Sequence, residues 1–272
     1  MDYLAFLEKE LRASADIALQ HFDKVSAQTK PGDNNQVLTE ADLAIGKHLV
    51  AAVRAAFPGH NVIDEEAGVI DNGSRYTWVI DPVEATSNFA AGIPEYGIMV
   101  GLLDDATPIA GGIIVPAHSR LYLAAKGKGA TCNGKPIHVT EETDLSKVLI
   151  SFGIDSHREN PAKTVAECRM LADIVLASRN MRNSGCEAVD PMYVAEGKLG
   201  GRVNMASKIW DNVAPQIIAG EAGAVWTDAY GEPIDYSQPV TRAEQNFTFC
   251  VASPALHMQL VEITRSHSSQ MV

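Results

Sequence analysis

The chain has 272 residues, 46% hydrophobic and 21% charged, an ordinary balance for a protein able to bury a large core. Its formal charge of −12 disfavours nucleic acid or an anionic membrane as the main partner. No apolar run approaches the ~20 residues that span a bilayer. The opening Met1-Asp2-Tyr3-Leu4-Ala5-Phe6-Leu7-Glu8 is acidic and amphipathic, unlike a secretory leader, so a cytoplasmic protein is expected.

Apolar positions Leu4, Leu7, Leu11, Ala15, Ala18, Leu19 and Phe22 recur at helical spacing and predict a helix within residues 1–25. Lys30-Pro31-Gly32-Asp33-Asn34-Asn35 is a turn-rich loop. A second helix is predicted from an N-cap at Thr39 to Phe57, ended by Pro58-Gly59. Short strands follow near Asn61–Ile63, Thr77–Ile80, Gly97–Leu103, Ile109–Val115 and Leu121–Ala125, punctuated by Gly and Pro as in an antiparallel sheet. The later half alternates: a strand at Val148–Phe152, helices at Ala162–Ala177 and Glu187–Glu196, and a strand at Gly201–Met205. A helix at Asp211–Ala222, strands at Ala224–Thr227 and Phe247–Ala252, and a helix at Pro254–Ser266 complete it. This pattern predicts an α+β half, residues 1–145, followed by an α/β half, residues 146–272. The tail from Ser268 to Val272 reads as frayed.

Cys132, Cys168, Cys186 and Cys250 lie far apart with no CxxC pair, which fits reduced thiols better than disulfides or a zinc site. The eight histidines form no metal-binding spacing, and none is assigned to catalysis.

The stretch Asp81-Pro82-Val83-Glu84-Ala85-Thr86-Ser87-Asn88-Phe89 follows the apolar run Thr77-Trp78-Val79-Ile80. It reads as a strand, then a proline turn, delivering carboxylates at the strand's C-terminal end. Two acids three positions apart can face one cation, with the Val83 carbonyl as a further hard oxygen donor. Ala85 to Ser87 can open a helix whose free N–H groups would hold an anion. A divalent cation beside such a helix start is the minimum equipment for metal-assisted phosphate chemistry.

This stretch resembles the signature of the inositol monophosphatase family, Asp-Pro-Ile/Val-Asp-Gly-Thr-x-Asn-Phe, with Glu84 in place of the second Asp and Ala85 in place of Gly. The resemblance also rests on Thr39-x-x-Asp42, on Asp64-Glu65-Glu66, and on Trp210-Asp211 followed by Glu221-Ala222-Gly223. It implies a five-layer αβαβα sandwich across essentially the whole chain. It further implies Mg²⁺, or Mn²⁺, as cofactor, a small phosphorylated metabolite as substrate, and a homodimer.

By the same resemblance Glu65, Asp81, Val83, Glu84 and Asp211 are the metal ligands, with Glu66 in support. Asp42 and Thr86 polarise the attacking water, the Thr hydroxyl relaying its proton to the carboxylate. Lys30 matches a mobile-loop lysine near a further metal. Ala85, Thr86, Gly185, Cys186, Asn204 and Asp211 are the substrate-side positions. At Asn204, seven before Asp211, inositol-specific members carry a Glu that binds sugar hydroxyls. The residues also admit plainer roles. Glu65 and Glu66 can be a solvated acidic turn, Asp211 an N-cap, and Cys186 a small packing residue rather than a nucleophile.

Glu is one methylene longer than Asp, so Glu84 sets its oxygens further out, at a position where paired metals demand close placement. A methyl at Ala85 is mild if its φ is negative and forces a shift in the turn otherwise. The leading expectation is a Mg-dependent phosphomonoesterase acting on a small polyol or sugar phosphate. A phosphatase-fold protein without that chemistry and a different metal-assisted reaction on the same scaffold stand beside it.

Overall fold

The computed structural model describes residues 2–22, 24, 28–29, 37–154 and 157–268. Helix α1 (Tyr3–His21) is capped by the Asp2 side chain, which accepts from the Leu4 amide. The two-residue strands β1 (Gln28–Thr29) and β2 (Val37–Leu38) pair with each other. Helix α2 (Glu40–Ala56) begins at the predicted N-cap Thr39, with a reciprocal capping box between Thr39 and Asp42.

An eight-stranded sheet comes next. It is built from β3 (Asn61–Asp64), β4 (Gly68–Ile70), β5 (Tyr76–Glu84), β6 (Gly97–Asp104), β7 (Thr107–Val115), β8 (Arg120–Ala125), β9 (Ala130–Cys132) and β10 (Lys135–Pro136). Its spatial order is β10-β9-β8-β7-β6-β5-β3-β4. The expectation of a purely antiparallel sheet fails at one place: β3 and β5 run parallel, Asn61 beside Thr77 through Asp64 beside Ile80. The hairpin strand β4, too short to carry a periodic signal, occupies the return path between them. One helical turn, α3 (Thr86–Ala90), follows β5.

The second half holds β11 (Leu149–Gly153), α4 (Pro161–Ala177), β12 (Asn180–Met181), α5 (Asp190–Ala195), β13 (Gly201–Ser207), α6 (Ile209–Glu221), β14 (Val225–Thr227), β15 (Phe247–Ala252) and α7 (Pro254–Ser266). Its five strands form a mixed sheet in the order β12-β11-β13-β15-β14.

Helices α1 and α2 pack together on one face of the large sheet, and α6 packs on the other face with α5. Both α5 and α6 also touch the small sheet, whose far face carries α4 and α7. The layering is therefore αβαβα, two mixed sheets among three helical layers. Leu7, Leu11, Ile45 and Leu49 meet Trp78, Ile80 and Val100 in the outer core. Met99, Ile113, Ile218 and Phe249 fill the central one.

Helix α6 lies unusually close to the large sheet. A Cβ at Gly101 would stand 2.6 Å from a Val213 methyl, and one at Gly111 would stand 2.5 Å from an Ile217 methyl. Side chains at either position would lift the helix and the residues at its start. No described helix is long and apolar enough to cross a membrane.

Candidate active site

Strand β5 runs without interruption from Tyr76 to Glu84, so Pro82 does not make the turn that its dipeptide context predicts. Asp81 pairs with Met99 and Glu84 with Gly97, so Pro82 and Val83 oppose the single residue Ile98. The extra residue is a β-bulge, where a proline lacking an N–H is tolerated. The bulge brings Asp81 and Glu84 to one place although they are three apart on a strand.

Asp211 arrives from α6, in the helical layer between the two sheets. Helix α6 begins at Ile209, two residues earlier than predicted, and its N-cap is Lys208. Asp211 is therefore the third helical residue rather than the N-cap, and its Oδ2 accepts from the Lys208 amide at 2.6 Å. That bond occupies one carboxylate oxygen and leaves the other available.

Asp81, Glu84 and Asp211 each offer a carboxylate oxygen within 4.8 Å of the other two. Asp81 is buried, and among the described residues neither of its oxygens has a hydrogen-bond donor. Burial, then the charges of Glu65, Glu84 and Asp211, push its carboxyl far above the usual range. Burial and Glu187 push Glu84 up to about 7, and burial and Glu84 push Asp211 up as well. Among the described residues, the Glu187 amide relieves Glu84, the Lys208 amide relieves Asp211, and a proton shared between Asp81 and Glu84 relieves that pair. A hard divalent cation relieves all three groups at once, and an all-oxygen donor set suits Mg²⁺ or Mn²⁺.

Glu65 leaves the end of β3, its amide bonded to the Ile80 carbonyl at 3.2 Å. Its side chain is not one of the three closest carboxylates, but its charge acts on each of them. The preceding Asp64 is buried and structural: its Oδ1 accepts from the Glu66 and Ala67 amides at 3.0 and 2.7 Å.

Asp42 is fully buried, and its Oδ2 accepts from the Thr39 amide at 2.8 Å and from the Thr39 hydroxyl. Its Oδ1 lies 3.3 Å from the Thr86 hydroxyl, which donates to the Val83 carbonyl at 2.9 Å. Burial lifts Asp42 to about 6, hydrogen bonds from Thr39 hold it down, and Glu66 adds to the rise. The capping box that starts α2 therefore also orients a carboxylate towards Thr86. Val83 is buried, and its carbonyl retains a second lone pair beyond the Thr86 bond.

Ala85 adopts φ 65° and ψ 50°, the left-handed conformation that favours glycine, so the chain keeps the turn and accepts the strain. Its methyl packs against the central core.

A cavity of about 200 Å³ opens beside the carboxylates, lined by Glu84, Asp211, Asn183, Gly185, Glu187 and Asn204 among others. Two grooves of about 600 Å³ lie elsewhere on the surface and contain none of these residues. Gly185 has φ 67° at the turn into the cavity. Cys186 does not line it: its side chain is buried in the central core, where desolvation and Glu84 push the thiol pKa far up. Asn204 Nδ2 donates to Glu187 Oε1 at 2.6 Å, and Asn204 Oδ1 accepts from the Ala206 amide at 3.0 Å. Lys30 lies outside the described residues.

Sequence reasoning overlooked Glu187 and Arg202. Glu187 was read only as the start of a helix that in fact begins at Asp190. Arg202 sits on a strand with 1% of its surface exposed. A charged residue inside the apolar pattern Val203, Met205 was the available signal, since such a group is buried only with partners.

The chain matches the inositol monophosphatase family over residues 2–269. It is 34% identical over 244 residues to a probable inositol 1-monophosphatase ImpA of Mycobacterium tuberculosis, covering 89% of this chain and 86% of the relative. It is 31% identical over 254 residues to a fructose-1,6-bisphosphatase/inositol-1-monophosphatase of Aquifex aeolicus, covering 92% and 95%. An IMPase structure from Thermotoga maritima superposes with a TM-score of 0.87 and 26% identity over 100% of both chains. An IMPase/NADP phosphatase complexed with Mg²⁺ and phosphate shares the fold at a TM-score of 0.81 and 22% identity, covering 95% of this chain and 93% of that one. A fold built around converging carboxylates, matched from end to end, leaves one assignment: this chain belongs to the inositol monophosphatase family.

Proposed function

We propose that the chain is a magnesium-dependent phosphomonoesterase acting on a small polyol or sugar monophosphate. The observation that carries this reading is the donorless, buried Asp81 carboxylate within 4.8 Å of carboxylate oxygens of Glu84 and Asp211. Asp81, Glu84 and Asp211 would hold the cation, with Glu65 and the Val83 carbonyl adjoining. A divalent ion in such a site polarises a phosphoryl oxygen and lowers the pKa of water towards neutrality.

The rest falls to the chain's own side chains. Thr86 and Asp42 orient a water by hydrogen bonds. Asp42, lifted to about 6, is suited to take a proton through the Thr86 hydroxyl near neutral pH. Asn183, Asn204 and Glu187 give the cavity a polar wall suited to a polyhydroxylated body, Asn204 and Glu187 being already bonded to one another. The cavity is about 200 Å³, and among the described residues no aromatic side chain lines it. Arg202, the guanidinium among its described lining residues, is already engaged by Glu187 and Asp190.

The test is phosphate release from a panel of polyol monophosphates, sugar bisphosphates and nucleotides, with Mg²⁺ and with EDTA. Turnover of polyol or sugar monophosphates in Mg²⁺ alone supports the reading. Preference for nucleotides or bisphosphates contradicts the substrate class. One observation favours a second reading, a phosphatase fold with altered chemistry: a Glu84 oxygen is occupied by an amide of the chain, at 2.6 Å. Metal binding without turnover of any ester in the panel would select it. By family resemblance we also propose a homodimer, for which light scattering is the check.

A further inference from the structure

The geometry points to Arg202 as the positioning residue of Glu84. It acts through the backbone amide of Glu187, and the inference rests on the metal site proposed above. The Glu187 N–H donates to Glu84 Oε1 at 2.6 Å, the one backbone hydrogen bond to Glu84's carboxylate among the described residues. That bond fixes where the longer Glu84 side chain can set its remaining oxygen towards Asp81 and Asp211.

The amide is itself held in place. Arg202 Nε donates to Glu187 Oε2 at 2.7 Å, and its Nη2 donates to Glu187 Oε1, so a planar fork grips the carboxylate on both oxygens. Arg202 Nη1 donates to Ser151 Oγ at 2.5 Å and to Asp190. Ser151 Oγ donates to Asp190 Oδ2 at 2.7 Å, and Asp190 also accepts from the Ser184 amide. From the other side Asn88 Nδ2, one helical turn beyond Glu84, donates to the Ser184 carbonyl at 2.9 Å.

Packing makes this approach specific. Gly97 is the strand partner of Glu84, and a Cβ there would lie 2.3 Å from the Cβ of Ala188. The segment carrying the Glu187 amide thus rests directly on the glycine opposite Glu84. An aspartate at position 84, one methylene shorter, would fall short of this amide by about the length of a C–C bond, ~1.5 Å. The Arg202 network therefore matters to the metal site because position 84 is Glu.

A double-mutant cycle on the full-length protein tests this, with Mn²⁺ affinity by calorimetry as the readout and circular dichroism confirming the fold. Arg202→Lys keeps the charge but loses the fork. In the Glu84 protein it should weaken Mn²⁺ binding about tenfold, a loss of about 1.4 kcal/mol. In the Glu84→Asp background it should weaken binding less than about twofold. Equal losses in both backgrounds, or none in either, overturn the proposal while leaving the metal site standing. If Arg202→Lys does not fold, Ser151→Ala, which loosens Arg202 by one contact, carries the same cycle. A smaller loss confined to the Glu84 protein then supports it, and equal or absent losses overturn it. A wild type that binds no Mn²⁺ removes both the metal reading and this one. A wild type that binds Mn²⁺ but hydrolyses no ester contradicts the phosphatase reading alone.

Discussion

Glu84→Gln should make the metal-free protein more stable and the metal-loaded protein less so. Gln keeps an Oε1 to accept from the Glu187 amide. It removes a charge from a cluster in which Asp81 has no donor, and its NH₂ supplies one. Glu84 rises from the usual 4.5 to about 7 in the fold. The sign follows from which state keeps its proton. Below pH 4.5 both states are protonated and the charge costs nothing. Between 4.5 and about 7 the unfolded chain releases its proton first, so native stability falls; above that range the loss is complete. At about 1.4 kcal/mol per pH unit, the rise from 4.5 to about 7 bounds the cost at about 3 kcal/mol, less what partial exposure of Glu84 screens. Metal-free Glu84→Gln should therefore melt several degrees above wild type near neutral pH, at ~2–4 °C per kcal/mol. Its advantage should vanish near pH 4.5. Mn²⁺ at a hundred times its Kd should add about 2.7 kcal/mol to the wild type and much less to the variant. Thermal unfolding in EDTA and in Mn²⁺, across this pH range, reads all of it. A variant that melts lower than wild type in EDTA, yet gains as much from Mn²⁺, would refute the reasoning.

Thr86→Val, which removes the hydroxyl between Val83 and Asp42, should lower kcat ~10²–10⁴-fold with little change in KM; steady-state kinetics on any accepted ester decides it. Gly153→Ala should destabilise by about 1–3 kcal/mol in urea unfolding, because a Cβ there lies 2.8 Å from Asn204 Cγ. Ala85→Gly should relieve ~1–2 kcal/mol of left-handed strain and return ~0.4–1 kcal/mol through added unfolded-state freedom. A net loss beyond about 1 kcal/mol in the same urea assay would show that the Ala85 methyl matters more through packing.

What was legible in the sequence was local. The Thr39 N-cap, the strand into Asp81 and the helices at α2, α4 and α7 follow from spacing and caps a few residues long. The bulge was not legible, since Pro82 signals a turn by itself and only the pairing with Met99 and Gly97 shows the strand continuing. The parallel pairing of β3 with β5 depends on β4, three residues long, taking the chain back. The contact between Glu84 and Glu187 spans 103 positions, and the Arg202 network joins residues 151 to 202. Such pairings follow from how α5 and α6 settle between the sheets, which no periodicity records. The family motif supplied Asp81, Thr86 and Asp211 as candidates. The fold supplied the Glu187 amide that Glu84 accepts from.

The most direct measurement of the central claim is phosphate release from a small polyol monophosphate as Mg²⁺ is titrated, with wild type beside Asp81→Asn. The wild type should be inactive in EDTA, rise to saturation with Mg²⁺, and lose activity again on chelation. Asp81→Asn should fall by ~10³-fold or more, as when an aligned electrostatic contact is removed from a transition state. Turnover that ignores EDTA, or an Asp81→Asn enzyme as fast as wild type, would contradict the account.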